Sequence, residues 1–180
     1  GKTVLRARDL PALGYGERIV AIGGFSPVGP PRFRGAFNYR QYLAASGIGR
    51  FTLVDDDVVD VSNLQRQTIF TMRDVGHGKA TSARRWLANF DDSLGIEISD
   101  ARLSPHNAPA IVEAADLVLD GTDNFATRLA VSDACVAKGV PLLSAAVGRF
   151  QGQVGAFAGH LAEQPCYRCF VGDAFDAEDC

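Results

Sequence analysis

From Gly47 onward, short apolar runs and amphipathic stretches take turns along the chain at a steady interval. The run Phe51 to Val54 drops into three aspartates, so residues 51–55 read as a buried strand bounded upstream by Gly49. Residues 79–90 place Ala80, Ala83, Leu87 and Phe90 three and four apart, the period of a helix with one apolar face. Residues 96–98 predict a short strand, 107–115 a helix, and 116–120 (DLVLD) a second buried strand. The pattern over 124–138 predicts a helix stopped by Gly139, and 141–144 a further buried strand. Short apolar strands alternating with helices predict an α/β fold: a Rossmann-like, mainly parallel sheet with right-handed crossovers and flanking helices. GQVGAF at 152–157 predicts a last strand able to pair antiparallel, after which the chain leaves the sheet toward Cys166.

The first 45 residues follow the pattern less closely. Residues 18–22 (RIVAI) with Gly23-Gly24 after them read as a first strand and its glycine turn. Residues 25–40 are rich in Pro, Gly, Arg and aromatics without a period, and 43–49 read as the end of a helix and a turn. No internal repeat or low-complexity tract is present. A single domain over 1–180 is expected, atypical over 1–45 and incomplete at its C-terminal end, because no closing helix follows the last cysteine pair.

Composition narrows the function. The net charge of −3 and pI of about 5.6 provide no basic face, so nucleic acid is not an expected partner. No apolar run approaches the roughly 18 residues of a membrane span, and no secretory pattern opens the chain, so a cytoplasmic protein is expected. Of the four cysteines, Cys135 sits alone in a helical pattern, and Cys166 and Cys169 form a C-x-x-C suited to metal or redox chemistry.

Parallel sheets bind ligands beyond the carboxyl ends of their strands, and two of the expected strand ends carry acids. Asp55 is the candidate to hydrogen-bond a ribose; the plainer reading of Asp55, Asp56 and Asp57 is a solvated turn. Ser62 with Gln65 three residues on fits a helix capping box, yet Arg66 and Lys79 follow, a planar fork and a mobile ammonium for phosphate oxygens. Lys79 is otherwise an ordinary exposed lysine at a helix start, where the helix dipole disfavours it. Asp123 reads either as a helix N-cap or as a magnesium ligand beside phosphates. For Cys166 and Cys169 the readings are half of a structural zinc site or a redox pair, and the preceding proline and loop-like surroundings favour zinc. His77, His106 and His160 share no ligand spacing and are assigned no role.

Taken in order, LVDDD, SNLQRQ, Gly76-x-x-Lys79, DGTDNFATR, P-L-x-S, GQV and PCYRC closely resemble the ATP-binding core of the MoeB/ThiF/HesA family, relatives of ubiquitin-activating enzymes. The resemblance runs from about Leu43 to Cys169. It implies adenylylation of the C-terminal glycine carboxylate of a ubiquitin-like sulfur carrier of the MoaD/ThiS type, serving molybdopterin or thiamine synthesis. The reaction would consume ATP with Mg2+ and release pyrophosphate. The same resemblance puts Asp55 on the ribose and the run Ser62, Asn63, Leu64, Gln65 and Arg66 against the nucleotide, with Asn63 and Arg66 on the triphosphate. Lys79 would hold phosphates near the reaction, Asp123 would engage magnesium, and Asn124 would lie beside it. Zn2+ would sit on Cys166 and Cys169, half of a four-thiolate set.

A homodimer is implied, with an N-terminal arginine acting across it; Arg6, Arg8 and Arg18 are the candidates. Counted back from Gly49, the family's glycine loop falls on residues 31–36 (PRFRGA), which keep only Gly35; Gly23-Gly24 is the other candidate. Two other functions stay open on the residues: an NAD-dependent Rossmann oxidoreductase, and a degenerate, non-catalytic member that binds the carrier or dimerises.

Overall fold

Strands at Glu17–Ile22 (β1), Ile48–Val54 (β2), Gly95–Ser99 (β3), Leu117–Asp120 (β4), Leu142–Val147 (β5) and Gly152–Phe157 (β6) make one sheet. Its order is β3-β2-β1-β4-β5-β6 in the computed structural model, which describes residues 17–22, 48–89, 95–147 and 152–172. β1 to β5 are mutually parallel, and β6 pairs antiparallel with β5 from Leu142↔Phe157 to Val147↔Gly152. This is the expected mainly parallel sheet with an antiparallel extension. The chain first winds from β1 outward to β3, then crosses back to the other side of β1 for β4. That reversal opens a crevice at the carboxyl ends of β1 and β4, where doubly wound sheets bind ligands. Both candidates for the glycine turn, Gly23-Gly24 and residues 31–36, lie outside the described residues.

Successive residues of a strand face opposite sides of the sheet, and here both sides are covered. Leu53 packs with Val59, Ile69, Phe70, Ala80 and Ala83, while its neighbour Val54 packs with Val112, Val118, Val131 and Leu142 on the other face. The same division separates Val118 from Leu119. Helix Lys79–Ala88 (α1) covers the first face; Ala108–Val112 (α2), Phe125–Lys138 (α3) and Tyr167–Val171 (α4) belong to the second.

Helix boundaries follow local chemistry. Gly139 closes α3 at φ 73°, a left-handed conformation that costs a residue with a Cβ about 1 kcal/mol or more. α2 is shorter than the 107–115 pattern predicts, with Asn107 as its N-cap and Glu113 as its C-cap. β5 runs past Ser144 to Val147 because β6 supplies a hydrogen-bonding partner for the extra residues. α4 was not predicted. It is a five-residue turn held by aromatic contacts, with the rings of Phe157 and Tyr167 edge to face at 5.5 Å. No helix among the described residues is long and apolar enough to cross a membrane.

Candidate functional site

A cavity of about 550 Å³ opens at the carboxyl ends of β2 and β4. Asp55, Arg66, Lys79, Asp123 and Asn124, all expected at the site, line this one space. Ser62, Asn63, Leu64 and Gln65 do not. Gln67, Arg102, Thr127 and Arg128 also line it, and none of these was singled out from the sequence.

Asp55 stands one residue beyond β2. Its N–H still donates to the Ser99 carbonyl at 3.2 Å, so the ladder fixes its backbone, and its Oδ1 accepts from the Asp57 N–H at 2.9 Å. Burial pushes the Asp55 carboxyl above its ordinary value; the Asp57 N–H and the Lys79 charge oppose the rise, and the Asp57 and Asp56 charges add to it. If the ionised form grips a ribose, nucleotide binding weakens as pH falls through this raised value, at a higher pH than an unperturbed aspartate would give. The expected result is a rise in KM for ATP on the acid side that Asp55→Asn abolishes; a variant that keeps the same acid limb assigns it to another group.

Lys79 opens α1 but is not the exposed lysine of the plainer reading. It is 9% exposed, and its Nζ donates to Asp57 Oδ2 at 2.7 Å. An antiparallel bridge between Val58 and Gly78, and the Lys79 N–H on the Asp57 carbonyl at 2.9 Å, bring these distant residues side by side. Gly76, at φ 82°, makes the turn that returns the chain to the bridge. The ammonium is therefore held at the cavity wall, with a carboxylate fixing its place.

The polar run before Arg66 supports the loop. The capping box expected at Ser62 and Gln65 forms two residues earlier: the Ser62 N–H donates to Asp60 Oδ1 at 2.8 Å, and the Asp60 N–H donates to Asn63 Oδ1 at 3.0 Å. Hydrogen bonds from Ser62 hold the Asp60 carboxyl below its ordinary value. Asn63 is thus buried and engaged in the turn. Arg66 lies just beyond, with Nη1 donating to the Ser62 carbonyl at 2.9 Å. Gln67 also lines the cavity, and its buried Oε1 has no hydrogen-bond partner among the described residues.

At the second strand end, the N-cap of α3 is Asn124, whose Oδ1 accepts from the Thr127 N–H at 3.0 Å. Asp123 is not the cap. It is exposed at the cavity mouth with no hydrogen bond or ion pair to a described residue. Asp120 beneath it is 2% exposed and fully engaged: Oδ1 accepts from the Thr122 N–H and hydroxyl at 3.0 and 2.8 Å, and Oδ2 from the Ser144 hydroxyl at 2.8 Å. This clamp ties the loop after β4 to β5 and fixes the segment that carries Asp123. Carboxylate oxygens are the donors a hard divalent cation wants, so the donor chemistry of Asp123 suits Mg2+.

Cys166 and Cys169 place their sulfurs 3.2 Å apart, away from the cavity. Their surroundings are not the loop expected: Cys166 is the N-cap of α4, and its sulfur accepts from the Cys169 N–H at 3.3 Å. Burial nonetheless pushes the Cys166 thiol up, which argues against a reactive redox thiolate. Two thiols supply half of a tetrahedral zinc shell, and no third His, Cys, Asp or Glu joins them among the described residues. The buried Cys135 thiol is pushed up to about 12 by burial and the Asp120 charge, and plays no part in this chemistry.

The ThiF family profile matches residues 38–179. The chain is 38% identical over 158 residues to the SAMP-activating enzyme E1 of Haloferax volcanii, covering 88% of this chain and 54% of that one. To the sulfur carrier protein adenylyltransferase of Thermus thermophilus it is 44% identical over 132 residues, covering 72% and 49%. Among solved structures, Escherichia coli MccB with succinimide superimposes with a TM-score of 0.68 at 25% identity, covering 85% of this chain and 43% of that one. The chain spans about half the length of the curated relatives it matches.

Proposed function

Since the chain belongs to the ThiF family, we propose that it adenylylates the C-terminal glycine carboxylate of a ubiquitin-like sulfur carrier of the MoaD/ThiS type, using ATP. The observation that carries this reading is the convergence of Asp55, Arg66, Lys79 and Asp123 on one cavity at two strand ends. The names of the two relatives, one a SAMP-activating enzyme and the other a sulfur carrier protein adenylyltransferase, support the kind of partner.

The proposed reaction needs no general base. A carboxylate oxygen attacks the α-phosphorus, the bond from that phosphorus to the bridging oxygen breaks, and pyrophosphate leaves with the electron pair. No proton changes hands. What remains for the protein is alignment and charge neutralisation. Asp55 accepts hydrogen bonds from the ribose hydroxyls and fixes one end of the nucleotide. The Arg66 fork and the Lys79 ammonium donate to phosphate oxygens. Asp123, with Asn124 beside it, would hold Mg2+, which when bound neutralises charge on the departing pyrophosphate.

The reading includes a homodimer in which Arg6, Arg8 or Arg18 reaches the partner's site, and molybdopterin or thiamine synthesis as the process served. Zinc on Cys166 and Cys169 belongs to it as a structural ion. With two thiols here, the 180-residue chain is expected to hold zinc at well under one equivalent; a full, tightly held equivalent would show that further ligands complete the site.

Exchange of labelled pyrophosphate into ATP, dependent on a carrier ending in Gly-Gly, tests the activity. Carrier-dependent exchange is the expected result. Binding of the carrier without exchange would instead mark a non-catalytic member, and NAD binding without exchange an oxidoreductase.

A further inference from the structure

We infer that Arg128 forms a second oxyanion-docking pole of the cavity, separate from the pole made by Arg66 and Lys79. The inference rests on the adenylylation reading for the identity of the anion, but the pole itself follows from charge and burial. Arg128 is 6% exposed and lines the cavity. The one hydrogen bond of its guanidinium to a described residue runs from Nη2 to the Thr122 carbonyl and uses one of five N–H donors.

No carboxylate among the described residues pairs with it. The nearby Asp120 has its oxygens occupied by Thr122 and Ser144, and Asp133 on the same helix pairs with Arg168 at 2.7 Å. Arg128 also lies in the first turn of the 14-residue α3, where the helix dipole presents positive charge and disfavours a cation. A buried charge without a counter-ion is costly, and a cation at a helix N-terminus adds to the cost. A bound oxyanion on the remaining guanidinium N–H groups removes both penalties, and a planar fork suits the two oxygens of a carboxylate or a phosphate.

Both chemistries enter the proposed reaction, as a nucleotide phosphate and as the acceptor's terminal carboxylate. The shared feature is the oxyanion, and binding measurements separate the sources. The 180-residue chain is titrated calorimetrically with ATP, with inorganic pyrophosphate, and with a peptide ending in Gly-Gly as free carboxylate and as amide. Arg128→Gln keeps an N–H for the Thr122 carbonyl and removes the charge. It is expected to weaken the docked anion by about thirtyfold. Loss of ATP and pyrophosphate affinity assigns a phosphate to Arg128; loss of the preference for carboxylate over amide assigns the acceptor.

Affinities unchanged on every arm overturn the inference. If Arg128→Gln fails to fold, Arg128→Lys decides: a folded lysine variant with weakened anion binding supports the fork, and one with unchanged affinities refutes it. The two readings fail separately. Absent pyrophosphate exchange with Arg128-dependent anion binding sinks adenylylation alone. Normal exchange with affinities indifferent to Arg128→Gln sinks the docking pole alone.

Discussion

Asp123→Ala is expected to lower carrier adenylylation by at least about a hundredfold while leaving the denaturation midpoint within error of the parent chain. Asp123 is exposed and makes no hydrogen bond or ion pair to a described residue, so its removal leaves no buried partner behind. The helix cap belongs to Asn124, and the buried clamp of the loop belongs to Asp120, so neither α3 nor the turn loses an anchor. What the carboxylate does supply is an oxygen donor at the mouth of the cavity, facing the space where the triphosphate is proposed to lie. Arg66→Ala is expected to lower adenylylation on the same scale, since Arg66 lines the same cavity. Normal adenylate formation in Asp123→Ala would remove the residue from the site, and a large loss of stability would reassign it to the fold.

Lys79→Ala is expected to cost activity on a similar scale and, unlike Asp123→Ala, a little stability. The Lys79 side chain is 11% exposed and its partner Asp57 is 67% exposed. A pair with one solvated member contributes at most about 1 kcal/mol, so the ion pair alone does not hold the loop. The buried methylene stem adds packing against the neighbouring turn. The larger effect falls on phosphate binding, because the ammonium is positioned by Asp57 at the cavity wall. Lys79→Arg is not expected to restore activity, since a guanidinium needs a different slot from an ammonium. Pyrophosphate exchange and urea denaturation on the same variants check both parts; full exchange by Lys79→Ala would refute the phosphate role.

The strands were legible because their signal is local. LVLD, a short apolar run ended by an acid, becomes β4, and Gly139 stops α3 where the sequence pattern ends. The acidic strand ends were legible for the same reason, since a doubly wound sheet brings such ends together. What the sequence hid were contacts that need the fold. Asp57 and Lys79 are 22 positions apart and meet through the Val58–Gly78 bridge and the backbone bonds beside it.

Ser62 and Asp60 are both good capping residues, and the position of the turn chose Asp60. An arginine inside an amphipathic helix usually faces water, so Arg128 gave no signal until tertiary packing buried it. α4 is too short to show a period, and its register rests on Tyr167 meeting Phe157 across the chain.

Whether the four residues grip one nucleotide is decided by a crystal structure of this chain with magnesium and a non-hydrolysable ATP analogue. The ribose hydroxyls are expected within hydrogen-bonding distance of Asp55, with the phosphate chain lying between Arg66, Lys79 and the metal held by Asp123. A nucleotide bound elsewhere, or one that contacts Asp55 while its phosphates point away from the other three residues, would contradict it.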